Sequence, residues 1–254
     1  MDELTRPILA YYGGKWRLAP KIIEEFPSHT CYVEPFGGGA SVLLRKEPSP
    51  VEVYNDIYGE VVNFFKMLRE RTTELVWALT LTPTALEEHK KAKTIDVSKL
   101  DDLEKARNFW IRSWQDRFQG GLPGWSGWKR TRAGTRPTPG AEVMYAAAQR
   151  LRNVYIENMD ALECIIYYDT PNTLFYIDPP YIEKGKPYTW SMDEEKHRKL
   201  LGLLLNVDGF IVLSCVENDL YSNILGSNGW ISKQLRTKTM KNSHINEEIW
   251  MNFE

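Results

Sequence analysis

The tetrapeptide Asp178-Pro179-Pro180-Tyr181 closes an apolar run, Thr173-Leu174-Phe175-Tyr176-Ile177, and gathers groups that suit one kind of guest. An apolar strand delivers its terminal acid to the carboxyl edge of a sheet, where open α/β folds hold their ligands. The two prolines fix the backbone and remove two N–H donors, which leaves carbonyl oxygens free to accept. A carboxylate, a free carbonyl and an aromatic face fit an amino group on a flat ring. The Asp178 carboxylate and the Pro179 carbonyl would take its two hydrogens, with Tyr181 stacked on the ring. The same four residues also fit a proline turn capped by Asp178, and both readings stand at this point.

A second constellation is Glu34-Pro35-Phe36-Gly37-Gly38-Gly39-Ala40, directly after Tyr32-Val33. Glycines after a strand permit positive φ and close approach of the backbone to a ligand. That makes Glu34, Pro35, Phe36, Gly37 and Gly39 candidate contacts, although a plain strand-to-helix connection reads equally well. The run is not a phosphate loop, because no Gly-Lys-Ser/Thr ends it. Asp56 follows about 20 residues after the turn, where an acid binds ribose hydroxyls in nucleoside-binding folds. A helix N-cap would explain the acid but not the spacing. Near the start, Tyr11-Tyr12-Gly13-Gly14-Lys15 is by itself a loop more often than a site. Asp160, a few residues beyond Val154-Tyr155-Ile156-Glu157, can accept from an adenine amino group or cap a helix.

These residues need elements to carry them. The pattern predicts strands at 32–36, 51–54, 153–157, 173–177, 210–214 and 249–253 from short β-branched and aromatic runs. It predicts helices starting near Ala40-Ser41 with Val42, Leu43 and Leu44, over Val61 to Leu68, and around Leu200 to Leu205. Strand, glycine turn, helix, strand, acid is the logic of a nucleoside-binding βαβ unit. From about Arg71 to Arg150 helical stretches dominate instead, at Leu86 to Lys93 and Leu103 to Phe118. A Gly- and Trp-rich turn, Gly120 to Trp128, and a Pro- and Gly-rich loop, Ala133 to Gly140, follow. The expectation is an inserted lobe at 71–150 within a domain made of 1–70 and 151–254.

Composition sets outer bounds. The 254 residues suffice for one good core and a smaller lobe. No apolar run nears the roughly 20 residues that span a bilayer, and the N-terminus lacks a signal-peptide layout, so a cytoplasmic protein without membrane contact is expected. Cys31, Cys164 and Cys215 lie far apart, outside any metal-ligand spacing, so neither a metal nor a disulfide framework is expected. A formal net charge of −2 does not suggest a nucleic-acid binder, but its distribution does. Between Lys105 and Arg136 the chain carries Arg107, Arg112, Arg117, Lys129, Arg130 and Arg132 as well, against the single acid Asp116. The aromatic stripe Phe109, Trp110 and Trp114 reads as lobe core rather than as a platform for bases, and Trp125 and Trp128 stay open.

Taken in order, the blocks Tyr11-Tyr12-Gly13-Gly14-Lys15, Glu34-Pro35-Phe36-Gly37-Gly38-Gly39, Asn55-Asp56 and Asp178-Pro179-Pro180-Tyr181 resemble the Dam-like (class alpha) DNA N6-adenine methyltransferases over essentially the whole chain. The resemblance implies a Rossmann-like α/β methyltransferase domain with a mixed, mostly parallel sheet, and a mainly helical target-recognition domain as its insert. It implies S-adenosyl-L-methionine as cofactor, contacted by Tyr11 and Lys15, with Asp56 on its ribose. Asp178 serves cofactor and catalysis, and Asp160 looks like the family's adenine-contacting acid. Some members carry Trp where this chain has Tyr11, and the insert with Trp125 and Trp128 matches no assignable recognition sequence.

The implied reaction moves a methyl group to N6 of an adenine swung out of double-stranded DNA, with Tyr181 replacing the lost stacking. Arg112, Arg117, Lys129, Arg130 and Arg132 are the expected contacts to phosphates or guanine edges. Lys105 and Arg107 fit a solvated helix face better. No obligate protein partner is implied. An RNA adenine methyltransferase and a catalytically silent DNA-binding homologue are the alternatives. Transfer to a protein glutamine is disfavoured, because enzymes of that type usually carry Asn where Asp178 stands.

Overall fold

The structure, a computed structural model, describes residues 4–116, 138–181, 192–238 and 244–254, with side chains for all of these except 236–238 and 244–246. Seven strands form one mixed sheet: β1 (Cys31–Glu34), β2 (Val51–Asn55), β3 (Val154–Glu157), β4 (Thr173–Ile177), β5 (Phe210–Val216), β6 (Ile231–Lys238) and β7 (His244–Met251). Their order across the sheet is β3-β2-β1-β4-β5-β7-β6. β1 pairs in parallel with β2 and with β4, and β4 in parallel with β5. β7 runs antiparallel to both β5 and β6. This is the mixed, mostly parallel α/β sheet that the family resemblance implies.

That order sets the functional geography. From β1 the chain builds outward to β2 and β3 on one side, then to β4 and β5 on the other. The direction of winding therefore reverses between β1 and β4, and open α/β sheets bind ligands outside the carboxyl ends at such a switch point. β4 is buried at all five positions, as a parallel strand covered on both faces must be.

The chain divides into two compact units, 1–16 with 38–44 and 58–156, and 17–37 with 45–57 and 157–254. The second unit has a core built from Val33, Val53, Phe175, Ile177, Ile211 and Leu213 on strands. Onto these pack Cys164 and Ile165 of α7 (Ala161–Tyr168) and Leu200, Leu201 and Leu204 of α8 (Glu194–Leu204). Asp193 starts α8 as a true N-cap, its carboxylate accepting from the Lys196 amide at 2.9 Å. Cys31, Cys164 and Cys215 are free thiols, the last two buried.

The first unit is helical. α2 (Gly59–Glu70) lies against α5 (Asp102–Gln115), which also meets α3 (Thr72–Thr80) and α4 (Leu86–Thr94), while α6 (Ala141–Arg150) packs on α2 and α3. Asp101 caps α5 through the Glu104 amide at 2.8 Å. Phe109 is 6% exposed and meets Phe64 and Tyr58 at ring-centroid distances of 6.2 and 5.7 Å. Trp110 is likewise buried, and Trp114 donates its indole N–H to the Ile8 carbonyl at 3.2 Å. The aromatic stripe is thus lobe core, each fully buried Phe contributing about 2 kcal/mol.

One expected element is absent. Residues 41–45 form turns rather than a helix, although Val42, Leu43 and Leu44 are buried as an apolar run should be. Gly38 and Ala40 both take left-handed backbone, φ +46° and +52°, and a right-handed helix cannot grow through such residues. A single Leu44 N–H to Ala40 carbonyl bond of 3.0 Å is the helical turn that remains.

Candidate active site

In the second unit the sequence-predicted residues collect at the carboxyl ends of four neighbouring strands: Glu34 as the last residue of β1 with Pro35 to Gly37 after it, Asp56 after β2, Asp160 after β3 and Asp178 to Tyr181 after β4. The residue that ties them is Asn55, fully buried at the end of β2. Its amide Nδ2 donates to the Pro35 carbonyl at 2.9 Å and to the Met159 carbonyl at 3.1 Å, while Oδ1 accepts from the Met159 N–H at 3.0 Å. Asn158 adds bonds to the Asp56 and Ile57 carbonyls at 2.7 and 3.2 Å. One side chain thereby joins three strand-end loops. The sequence displayed Asn55 as a motif residue but not this task.

Asp56 is half-buried and Asp160 exposed. Asp160 caps α7, its carboxylate accepting from the Leu162 N–H at 2.8 Å. The helix-cap reading is therefore realised, with the acid still at the carboxyl edge beside Asp56. Gly37 donates its N–H to the Asn55 carbonyl at 2.7 Å, and a Cβ on it would strike the Tyr54 ring. The glycine there makes room for the chain itself.

Around β4 the site is rich in buried carboxylates and phenols. Glu34, 2% exposed, accepts from the Tyr32 hydroxyl at 2.7 Å. Tyr181 donates its hydroxyl to Glu247 Oε1 at 2.5 Å, and Ser214 Oγ reaches the same oxygen at 2.6 Å. Burial, and then the negative charges of Asp178 and Glu247, push the Tyr181 phenol far above its ordinary value. Tyr176 is driven the same way by burial and by Asp178, Glu247 and Glu34, which brings three carboxylates within reach of one phenol. Both phenols therefore stay protonated, and Tyr181 acts as donor to the Glu247 carboxylate. Beside Tyr181 a cavity of about 80 Å³ opens toward His197, Cys215, Asn218 and Tyr221. His197 Nδ1 pairs with the Tyr221 hydroxyl at 2.8 Å. Burial lowers the pKa of His197, the Pro180 carbonyl working against it.

Tyr11, Lys15 and Gly39 come together in the first unit. Tyr11 to Gly14 is a tight turn closed by a Gly14 N–H to Tyr11 carbonyl bond of 3.2 Å, with Gly13 at φ +72° as its third position requires. Lys15 is buried and donates to the Gly13 carbonyl at 3.1 Å. Tyr11 packs on the glycines, since a Cβ on Gly38 would lie 2.9 Å from its ring.

Among the expected DNA contacts, Arg112 is held within its own unit. Its guanidinium pairs with Glu60, and its Nε donates to Asn108 at 2.9 Å. Burial opposes its charge, yet Glu60 and Tyr58 outweigh that and raise its pKa. Arg107 binds Glu88 at 3.0 Å and Thr82 at 2.8 Å, and Lys105 binds Asp102 at 2.8 Å. Arg117, Lys129, Arg130 and Arg132, with Trp125 and Trp128, lie outside the described residues.

A seven-stranded, mostly parallel α/β sheet with acidic and aromatic residues at its switch point is a Rossmann-like fold. A family model described as D12 class N6 adenine-specific DNA methyltransferase matches residues 11–112, which include the first three blocks but not Asp178 to Tyr181. The DNA adenine methylase of Escherichia coli (strain K12) is 34% identical over 74 residues, 29% of this chain and 26% of that protein. The DNA adenine methylase of Serratia marcescens is 31% identical over 72 residues, 28% of this chain and again 26% of the relative. The chain thus spans about a quarter of the length of these curated relatives. A solved rRNA methylase from Streptococcus thermophilus covers 97% of this chain and 96% of its own at 11% identity and a TM-score of 0.35, a likeness too loose to bear on fold or substrate. The resemblance to the Dam-like adenine methyltransferases is shown over the matched region. Among the described residues no helix is long and apolar enough to cross a membrane.

Proposed function

We propose that this chain transfers a methyl group from S-adenosyl-L-methionine to the exocyclic N6 of an adenine in double-stranded DNA. The observation that carries the reading is the placement of Asp178-Pro179-Pro180-Tyr181 and Glu34 on either side of the sheet's switch point, between β4 and β1. The D12 match and the DNA adenine methylases with similar sequence support adenine in DNA as the acceptor.

The chemistry of the donor set fits the cofactor. Asp56 suits vicinal ribose hydroxyls, and Asp160 an adenine amino group. Glu34, Asp178 and Glu247 make a negative surround for a cationic sulfonium. Tyr11 and Lys15 are the contacts that the family resemblance adds. When bound, the cofactor supplies an electrophilic methyl on that sulfonium.

The chain's residues do the rest. The N6 amine is a weak nucleophile because its lone pair is delocalised into the ring. Hydrogen bonds from it to the Asp178 carboxylate and the Pro179 carbonyl favour the pyramidal nitrogen of the transition state. The amine turns cationic as the nitrogen–methyl bond forms and the sulfur–methyl bond breaks, the buried carboxylates favour that charge, and the surplus amine proton then leaves to the Asp178 carboxylate or to water. Tyr181 offers its ring face to the extruded base, a contact worth about 1–3 kcal/mol. Holding amine and methyl in line supplies the proximity contribution. Cations of the insert, with Arg117, Lys129, Arg130 and Arg132 as candidates, contact the duplex.

The test is direct. Incubation with methyl-labelled S-adenosylmethionine and unmethylated duplex DNA, followed by digestion to nucleosides, should yield labelled N6-methyldeoxyadenosine. Asp178→Ala should abolish the signal while melting like the wild type. Label in RNA or protein with none in DNA would sink the proposal.

A further inference from the structure

We propose that Glu247 is a positioning residue for Tyr181, holding in place the ring on which the extruded base stacks; the inference rests on the methyltransferase reading above. Nothing in the sequence blocks points to it. Glu247 lies 66 residues beyond Tyr181, in the run Asn246-Glu247-Glu248 that reads as a charged solvent edge. Yet it is 3% exposed. It stands within β7, opposite Val216 of β5 and Leu235 of β6, so ladder partners flank its backbone on both sides.

A buried carboxylate is costly unless hydrogen bonds meet it. Two neutral hydroxyls converge on one oxygen of Glu247: Tyr181 at 2.5 Å and Ser214 at 2.6 Å. Bonds from O–H to a carboxylate are short, strong and directional. The hydroxyl lies at the far end of the ring, so anchoring it stops the swing about the first side-chain torsion. The hydroxyl oxygen lies on the axis of the second torsion, and the ring plane is biased only through the preference of a phenolic O–H to lie in that plane.

A second effect follows from the neighbouring acid. Asp178 is close enough to act electrostatically on the Tyr181 phenol. A phenol released by Glu247 would seek that carboxylate and compete with the substrate amine for it. Glu247 therefore also keeps Asp178 available. Because the phenol stays protonated, it remains a donor over the working pH range.

The test uses the full chain with Glu247→Ala, Glu247→Gln, Tyr181→Phe and the double variant Tyr181→Phe/Glu247→Ala. Losing a hydrogen bond to a charged group should lower kcat about ten- to hundredfold in Glu247→Ala. The KM for S-adenosylmethionine should not move. Gln, which retains an acceptor oxygen, should recover most of the loss, and the double variant should be no slower than the worse single one. With 2-aminopurine at the adenine that the wild type methylates, the fluorescence marking an extruded, stacked base should change in Glu247→Ala and revert in Glu247→Gln. Wild-type kcat in Glu247→Ala, or losses that multiply in the double variant, would overturn the proposal. If the wild type methylates no DNA, the function reading falls on its own. The same four proteins then decide the pairing by thermal unfolding: non-additive losses uphold it, additive ones overturn it.

Discussion

The side chain of Asn55 and the backbone of Met159 exchange two hydrogen bonds, Nδ2 to the carbonyl at 3.1 Å and N–H to Oδ1 at 3.0 Å, as two strands would. The pair is a peptide-like splice between the loop after β2 and the loop after β3. Its remaining donor reaches the Pro35 carbonyl, so the loop after β1 is included.

Asn55→Ala should therefore cost about 2–4 kcal/mol, because several buried backbone groups lose their partners at once. Urea unfolding measures this. The KM for S-adenosylmethionine should rise in the same variant, since the loops bearing Glu34, Asp56 and Asp160 lose their common tie. Unchanged stability would mean that water replaces the amide without loss.

Gly37→Ala should destabilise by about 1–3 kcal/mol through overpacking. The added Cβ meets the ring of Tyr54, which is fully buried and has nowhere to retreat, and lies 3.0 Å from the Asn55 carbonyl. A thermal melt reads the loss, and affinity for S-adenosylmethionine should fall with it as the turn shifts. Tyr54→Ala in the same background should restore part of that affinity if the clash is the cause.

The cations between Lys105 and Arg136 can be sorted by salt. Arg112→Ala should lower stability by about 1 kcal/mol, because its partner Glu60 keeps the Tyr58 hydroxyl at 2.7 Å as a second contact. It should leave the salt dependence of DNA binding unchanged. Changing Lys129 and Arg130 to Ala should instead flatten the log–log slope by roughly 0.9 for each phosphate that is no longer neutralised. A flattened slope in Arg112→Ala would show that DNA displaces Glu60.

Acid sensitivity should trace in part to His197. Burial holds its pKa below the usual 6.5, so the unfolded chain takes up a proton more readily than the folded one. The stability this contributes is present above pH 6.5 and is lost as the pH falls through the lowered folded value. His29 shifts in the same direction and acts in the same window. His197→Gln should make the fall of unfolding free energy below pH 6.5 shallower, with the His29 share remaining. An unchanged slope would remove His197 from this role.

How much was legible follows from where each signal resides. β4 was readable with its true ends because a continuous apolar run and a terminal acid are local facts. The helix expected after the glycines was misread because Ala40 at φ +52° is a tertiary consequence that no residue type announces. β6 passed unseen because the residues from Ile231 to Gln234 are exposed, as edge strands are, leaving Leu235 as the buried apolar position in its described part. Asp178 and Tyr181 were recognisable as chemistry. Glu247, which Tyr181 bonds, and Ser214, which shares its oxygen, were not, because a hydrogen bond between β4's exit and β7 has no trace in local sequence.

Beside β5, β7 runs the other way. A parallel strand finishes at the carboxyl edge and hands its functional residue to a loop. The reversed strand crosses that edge in mid-course. Glu247 is consequently a fixed post, clamped by a neighbour on each side, whereas Tyr181 sits on the turn that leaves β4. When an extruded base arrives, the acceptor is in place and the phenol is already bound to it, so the ring meets the base without having to be repositioned.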